Sequence, residues 1–454
     1  MTTTFLAESM RAHGYRVIAG ADAPITGGAA DSRLTQPGDL FAAFRGERLD
    51  GNDFVDEALE RGAPAAVCER PPARDWSGRT LAIVGDTRTA VAELARDWRR
   101  SCGVRVAGIT GTVGKTTAKE LTAAALATRL QTHHSPGNLN SREGLPLALM
   151  SLRREHEVSV LEMAMDSEGE IAELCAIAEP SVGAVLNIGA THLEKLGSMD
   201  AIEREKLSLA RSLPKGGTAV LNVDDERVAP VAGELDCTVI GFGASEAAGL
   251  RRGEVRDLGL EGSEFRVFYE GGEADVRLRM PGAHLAQGAL AAIGIQLALG
   301  VGLVEAAEAV SAAEIEGRLR VRRGANGARI LDDTYNASPA SVAGDLDLLR
   351  GLGGQRIALL GEMAELGDHS EREHRRIGGV AAGCCDVLVA AGEPCRPLVE
   401  EARASGLDES HWFETKEEAA AFAAALLDEG DHILVKASRG QAFEALIPAL
   451  EGRA

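Results

Sequence analysis

The chain has 454 residues, 45% hydrophobic and 26% charged, a composition that fits a folded globular protein and excludes a disordered one. At roughly 150 residues per domain, its length calls for about three units, each able to bury a core of its own. A formal net charge of −21 argues against any broad nucleic-acid or membrane surface, both of which need clustered Lys and Arg.

In chain order, the opening "MTTTFLAESMRAHG" lacks a basic stretch followed by an apolar core, so no secretory signal and a cytoplasmic location are expected. Residues 1–103 carry short apolar runs and turn signals such as "QPGDLFAAFRG" and "LDGNDF", which predict a small α/β domain. From 104 to 317, "VRVAGIT", "VSVLEM" and "VGAVLNI" read as strands, each followed by a helical or loop segment, the pattern of a parallel sheet with covering helices. Residues 245–280 predict antiparallel strands inserted near the end of this domain. The longest apolar stretch, Gly288 to Val304, contains Gln296 and several glycines and reads as a buried helix, too short to span a bilayer. From 318 to 454 the alternation restarts with "ARILDD", "RIALLGE", "DVLVAAG" and "HILVKAS", a third α/β unit. The seven cysteines form no CxxC pair and read as reduced thiols, neither a metal site nor a disulfide frame.

The chemistry is concentrated in "AGITGTVGKTTAKE", residues 107–120. A strand, a glycine turn and a helix start bring backbone N–H groups together on phosphate oxygens. Lys115 adds a point charge for the β- and γ-phosphates, and the Thr116 hydroxyl is suited to Mg²⁺. The strict G-x-x-x-x-G-K-[ST] pattern requires glycine where Ile109 stands. The bland alternative is a glycine turn that merely caps a helix. A second carboxylate belongs at the end of a neighbouring strand: Glu162, closing "EVSVLE", is the candidate and Asp166 its rival. His192 follows the next strand, where ligands gather in open α/β sheets, although a lone histidine is more often structural. The GTPase signature N-K-x-D does not occur in the middle domain, which favours adenine. By local pattern alone, Lys206 is a solvated helix lysine beside Glu203 and Glu205, Arg45 and Arg48 are surface charge, and Asn138 and Asn140 belong to a turn.

Ten stretches, in order, resemble the Mur ligase family of peptidoglycan synthesis: "DSRLTQPGDLFAAFRGERLDGNDF", "GITGTVGKTTAKE", "PGNLNSREGLPLAL", "LEMAMDSEGEI", "NIGATHLEKLGSMDAIEREKLSL", "VLNVDD", "GRLRVRR", "LDDTYNASPASV", "LLGEMAELGDHSEREH" and "VKASRG". The resemblance implies three domains: a UDP-substrate-binding α/β unit, a central P-loop ATPase unit with a parallel sheet, and a C-terminal Rossmann-like ligase unit. The family writes its loop G-[TS]-x-G-K-[TS], which Gly111, Thr112, Gly114, Lys115 and Thr116 satisfy, with Thr117 next. It implies an ATP-dependent amide ligase acting through an acyl phosphate, with Lys115, Lys206 and His192 catalytic and Lys206 carbamylated by CO₂. Thr116 and Glu162 would hold one Mg²⁺ and His192 a second. His284, Arg318, Asp333, Tyr335 and Asn336 would complete the nucleotide site, Arg318 reaching phosphate when the domains shut.

By the same resemblance, the amino-terminal pattern would put Ser32, Arg33, Arg45 and Gly46 near the uridine diphosphate end of the acceptor, "PGNLNSREGLP" would put Asn138 and Asn140 along the muramoyl-peptide path, and Lys436, Ser438 and Arg439 of the third domain would lie near the closed cleft. The D-N-P-R signature of the diaminopimelate- or lysine-adding members is missing, which favours the type that adds D-alanyl-D-alanine to UDP-N-acetylmuramoyl-tripeptide. The implied partners are small-molecule substrates, with no nucleic acid, no membrane span and a monomeric state. One departure stands out: the family motif P-G-x-H-N-x-x-N reads "PGAHLAQG" here, with Leu285 and Gly288 replacing two asparagines, the second of which usually contacts adenine. Gln287 is the neighbouring substitute. Two alternatives stay open, a Mur-like amide ligase of another pathway and a non-catalytic nucleotide-binding partner protein.

Overall fold

The computed structural model describes residues 1–46, 49–189, 196–315, 319–364 and 366–453. Among these the strands form three sheets, each with helices packed against it. The first has the order Arg16–Ile18, Thr80–Ile83, Ala65–Cys68, Asp39–Ala42, Gly27–Ala29; the outer pair Arg16–Ile18 and Thr80–Ile83 is antiparallel and the others are parallel.

In the second sheet, strand Arg105–Thr110 lies between Val158–Glu162 and Val182–Val185, all parallel. The chain therefore leaves Arg105–Thr110 first to one side and then to the other, and this switch point opens a crevice at the carboxyl ends of the strands. The stretch after residue 245 is antiparallel as expected, with Ser263–Tyr269 pairing Gly272–Leu278. It is not a separate insertion, however: Leu250–Arg252 pairs in parallel with Thr238–Gly243 and extends the main sheet. The third sheet runs Arg320–Arg323, Arg329–Asp333, His432–Lys436, Arg356–Leu360, Val387–Ala391, Ser410–Phe413. Its two outermost strands give weak sequence signals because "RVRR" and "SHWF" are short edge segments with few buried residues.

Helix Thr87–Cys102 joins the first two units. Asp86 caps its N-terminus through the Thr89 N–H, Gly103 ends it in left-handed backbone, and Ala90, Val91, Leu94, Ala95 and Trp98 form one buried stripe. Trp98 donates its indole N–H to the Leu152 carbonyl, and Arg99 and Arg100 both reach Glu179. Consequently one continuous apolar core runs from Leu6 and Leu40 to Leu161 and Leu209, whereas the third unit has cores of its own. No helix among the described residues is long and apolar enough to cross a membrane, and helix Ala286–Ala298 is buried along most of its length. All seven cysteines are free thiols.

His133 supplies a stability test. Burial, then the neighbouring His156 charge, pushes its pKa down to about 3, while the ring bonds Ser159 Oγ, Ser151 Oγ and the Ala148 carbonyl. The unfolded chain takes up this proton near pH 6.5, so between there and the folded value the unfolded state binds more protons and stability rises with pH. Lowering the pH below about 6.5 is expected to cost about 1.4 kcal/mol per unit through this residue. In urea titrations, His133→Gln is expected to flatten that part of the pH profile.

Candidate functional site

Strand Arg105–Thr110 ends in a turn from Gly111 to Gly114, and helix Lys115–Ala127 starts at once. Gly114 sits at φ 82°, left-handed backbone that glycine adopts without strain. Gly111 is needed for a different reason: a Cβ there would lie 2.9 Å from Leu186 Cβ. The Asn187 side chain splints the turn. Its Oδ1 accepts the backbone N–H of Thr112 and of Val113 at 3.0 and 2.9 Å, and its Nδ2 donates to the Val113 carbonyl.

Two lysines converge on one carbonyl. Lys115 Nζ donates to the Gly111 and Thr112 carbonyls at 2.9 and 3.1 Å, and Lys206 Nζ donates to the same Gly111 oxygen at 2.9 Å. Lys206 is buried, which corrects the solvated-helix reading. Burial, then the nearby Lys115 charge, pushes its pKa well below the ordinary lysine value, with Glu205 opposing. The amine is thereby biased toward its uncharged, nucleophilic form.

On the other side of the turn, Thr116 Oγ1 donates to Glu162 Oε2 at 2.8 Å, and Asn140 Nδ2 donates to Glu162 Oε1 at 2.8 Å. Glu162 lines the cleft, and its rival Asp166 lies exposed outside it. The turn at 135–140 takes its left-handed residue from Gly137, not from the asparagines.

The cleft has a volume of about 370 Å³, within the usual range for ligand pockets. Thr112, Gly114, Lys115, Thr116, Thr117 and Glu162 line one wall, with His284, Leu285, Gln287 and Gly288 beside them. The third unit supplies the facing wall through Asp333, Asn336 and Asp345. Behind it lies a buried triad. Asp333 and Lys436 stand opposite each other at the ends of paired strands, and Lys436 Nζ contacts both Asp333 and Asp345, the latter at 2.9 Å. Burial pushes the Asp345 carboxyl up to about 7 although Lys436 pulls the other way. Burial also opposes the charge on Lys436, but the two carboxylates outweigh it and hold the ammonium above its ordinary value. His284 Nε2 lies 3.8 Å from Asp345 Oδ1, and burial, then Lys436, lowers its pKa.

The remaining candidates lie away from this cleft. Ser32 is buried and donates to Glu57, Arg33 pairs with Asp31, Arg45 pairs with Glu69 at 3.0 Å, and the Gly46 N–H donates to the Leu49 carbonyl. Asn138 is exposed on its loop, and Tyr335 lies beneath the Arg439 guanidinium. Ser438 accepts the Ala364 N–H. His192, Arg318 and Arg48 lie outside the described residues. Sequence reasoning missed Asn187, Lys119 and Asp345. The first stands two residues beyond the strand end in "VGAVLN", and the other two are charges within otherwise apolar helix stripes.

A glycine turn leading into a Lys-Thr helix start, faced by a strand-end glutamate and a third α/β lobe across a cleft, defines a P-loop nucleotide-dependent enzyme. Family models match in the same order: "Mur ligase family, catalytic domain" over residues 24–99, "Mur ligase middle domain" over 109–296 and "Mur ligase, glutamate ligase domain" over 317–439. The chain is 33% identical to the UDP-N-acetylmuramoyl-tripeptide–D-alanyl-D-alanine ligase of Synechocystis sp., covering 92% of this chain and 90% of that one. To the Escherichia coli enzyme of that name it is also 33% identical, with 95% of each chain covered. Among solved structures it is similar to MurF from Acinetobacter baumannii, at TM-score 0.87 and 30% identity over 99% of this chain and 98% of that one. It is likewise similar to MurF ligase from Thermotoga maritima in complex with ADP, at TM-score 0.78 and 29% identity over 94% and 98%. The chain belongs to the Mur ligase family.

Proposed function

We infer that the chain is an ATP-dependent peptide ligase that joins D-alanyl-D-alanine to UDP-N-acetylmuramoyl-tripeptide in peptidoglycan precursor synthesis. The single observation that carries this reading is the Lys115, Thr116 and Glu162 constellation in the cleft of a chain one-third identical, nearly end to end, to ligases of that name.

Joining a carboxylate to an amine needs a better leaving group than oxide. The tripeptide carboxylate attacks the γ-phosphorus of ATP, ADP leaves, and the resulting acyl phosphate is captured by the dipeptide amine, with inorganic phosphate expelled. The chain's own residues mainly position groups and neutralise charge. Lys115, bonded to the Gly111 and Thr112 carbonyls at the turn, would turn to meet terminal phosphate oxygens. The oxygens of Thr116 and Glu162, 2.8 Å apart, form a hard donor set that fits Mg²⁺. When bound there, the ion would neutralise charge developing between the β- and γ-phosphates.

The buried amine of Lys206, whose pKa burial and Lys115 hold well below the ordinary lysine value, suits uptake of CO₂, which would convert R–NH₂ to R–NH–COO⁻ and release a proton. The new anion would lie beside Lys115 and, with His192, serve a second metal. We assign Ser32, Arg33, Arg45 and Gly46 to the uridine diphosphate end, Asn138 and Asn140 to the peptide path, and Lys436, Ser438, Arg439, Tyr335 and Asn336 to the closing lobe, with Arg318 reaching phosphate on closure. The domain limits proposed are 1–103, 104–317 and 318–454, in a cytoplasmic monomer.

The deciding experiment is phosphate release by purified protein. It is expected only when ATP, UDP-N-acetylmuramoyl-tripeptide and D-alanyl-D-alanine are all present; release driven by another amine, or by none, would contradict the assignment. Gly288 gives a second prediction. A Cβ at this position would meet Ala118 and Thr117 no closer than 3.7 Å, so the β-carbon of an asparagine is accommodated. Gly288→Asn is expected to lower the KM for ATP about fivefold, the worth of one good hydrogen bond, with little change in kcat. An unchanged KM would remove adenine from this wall of the cleft.

A further inference from the structure

Lys119 is fully buried one helical turn beyond Lys115, and no step described above uses it. Its Nζ donates to the Ser135 carbonyl at 2.7 Å and the Gly137 carbonyl at 3.3 Å, and lies 2.9 Å from Glu120 Oε1. An aliphatic side chain would fill this interior position without any desolvation cost, so the ammonium needs a reason. The reason lies in what the two carbonyls hold.

Ser135 accepts the Glu162 N–H on its Oγ, and its own N–H is bonded to the Val160 carbonyl. Three residues beyond Gly137, Asn140 donates its side-chain amide to Glu162 Oε1 and accepts the Ala164 N–H on its carbonyl. Glu162 in turn accepts the Thr116 hydroxyl, on the same helix as Lys119. The bonds form a closed circuit from the nucleotide helix through Lys119 to the 135–140 loop, from Asn140 to Glu162, and back to the helix at Thr116.

We propose that Lys119 is a positioning residue that locks the 135–140 loop to the phosphate-binding helix, so that Asn140 presents the Glu162 carboxylate to the metal and Asn138 to the acceptor. Lys119 touches neither phosphate nor acceptor itself. The acceptor half of this proposal rests on the ligase reading above; the metal half does not.

The test separates phosphate binding from metal binding in Lys119→Met and Lys119→Gln. Calorimetric ATP affinity in EDTA is expected to stay within about twofold of the parent, because the turn and Lys115 are untouched. The Mg²⁺ concentration that half-saturates the ATP complex is expected to rise about tenfold or more, as it does when a group that orients a metal-ligating carboxylate is lost. The KM for UDP-N-acetylmuramoyl-tripeptide is expected to rise with it, by more than kcat falls. Asn140→Ala should give the same metal defect, and the double variant should be no worse than the poorer single variant, because both break one circuit. Affinity in EDTA that falls in step with the metal affinity, an unchanged metal affinity, or multiplicative single effects would overturn the proposal. So would failure of both Lys119 variants to fold, which would make the lysine a folding determinant. If the parent shows no ligase activity, the calorimetric measurements still decide the metal half.

Discussion

Lys115→Ala is expected to lower the rate of phosphate release with all three substrates present by about 10³-fold, the scale on which a charge aimed at a transferring phosphoryl group is felt. The fold should survive, since the ammonium's carbonyl hydrogen bonds to Gly111 and Thr112 lie within its own turn. There is a second consequence. The Lys115 charge is one of the two influences that depress Lys206, so its removal should raise the Lys206 pKa and slow the CO₂ uptake proposed for that lysine. Excess bicarbonate should therefore restore a small part of the variant's activity, and the rest of the loss should persist. Retention of more than about a tenth of the parent rate would remove Lys115 from the transfer step.

Lys436→Met should produce the largest stability change, a loss of about 3–5 kcal/mol, because it strands two buried carboxylates without their shared cation. The sign of its pH dependence follows from linkage. Without the cation, the buried Asp345 carboxyl in the folded chain holds its proton more tightly than an unfolded aspartate, which titrates near 3.9. Between those values the folded state binds more protons, so stability falls as pH rises. Urea unfolding should show most of the deficit at about pH 8 and a much smaller one at about pH 5. The His284 ring, no longer facing Lys436, should titrate at a higher pH in the variant, measurable by NMR. A pH-independent deficit would mean that lost packing, not charge, explains it.

What could be read from the sequence divides along contact distance. The phosphate turn is local: strand, glycines, lysine and threonine are consecutive, so their geometry follows from backbone sterics and helix termini. Glu162 was legible as a strand-end carboxylate, but only its hydrogen bond to Thr116 and its place in the cleft separate it from Asp166. Lys206 was misread by local pattern because Glu203 and Glu205 suggested a solvated face, whereas Glu205 is itself buried. Its place on the stripe Ile202, Lys206, Leu209, Ala210 was the available signal, while its partner, Gly111, stands 95 residues away. Asp345 falls likewise on the stripe Val342, Asp345, Leu346, Leu349, and its partner Lys436 comes from a strand near the end of the chain. Charged residues at apolar helical positions were the shared clue, and pairing across the fold is what periodicity cannot supply. The amino-terminal substrate residues gave the reverse result. Arg45 is as exposed as its local pattern suggests, Arg33 is exposed too, and only the family resemblance marks either.

The central claim is that the turn at 111–116 presents a γ-phosphate to the acceptor's carboxylate. Supplying UDP-N-acetylmuramoyl-tripeptide with heavy oxygen in its reacting carboxyl group tests this directly. Mass spectrometry of the released phosphate is predicted to find one labelled oxygen per molecule, because the carboxylate oxygen that attacks phosphorus leaves with it. Unlabelled phosphate would mean that water, and not the carboxylate, takes the phosphoryl group, and would contradict the account.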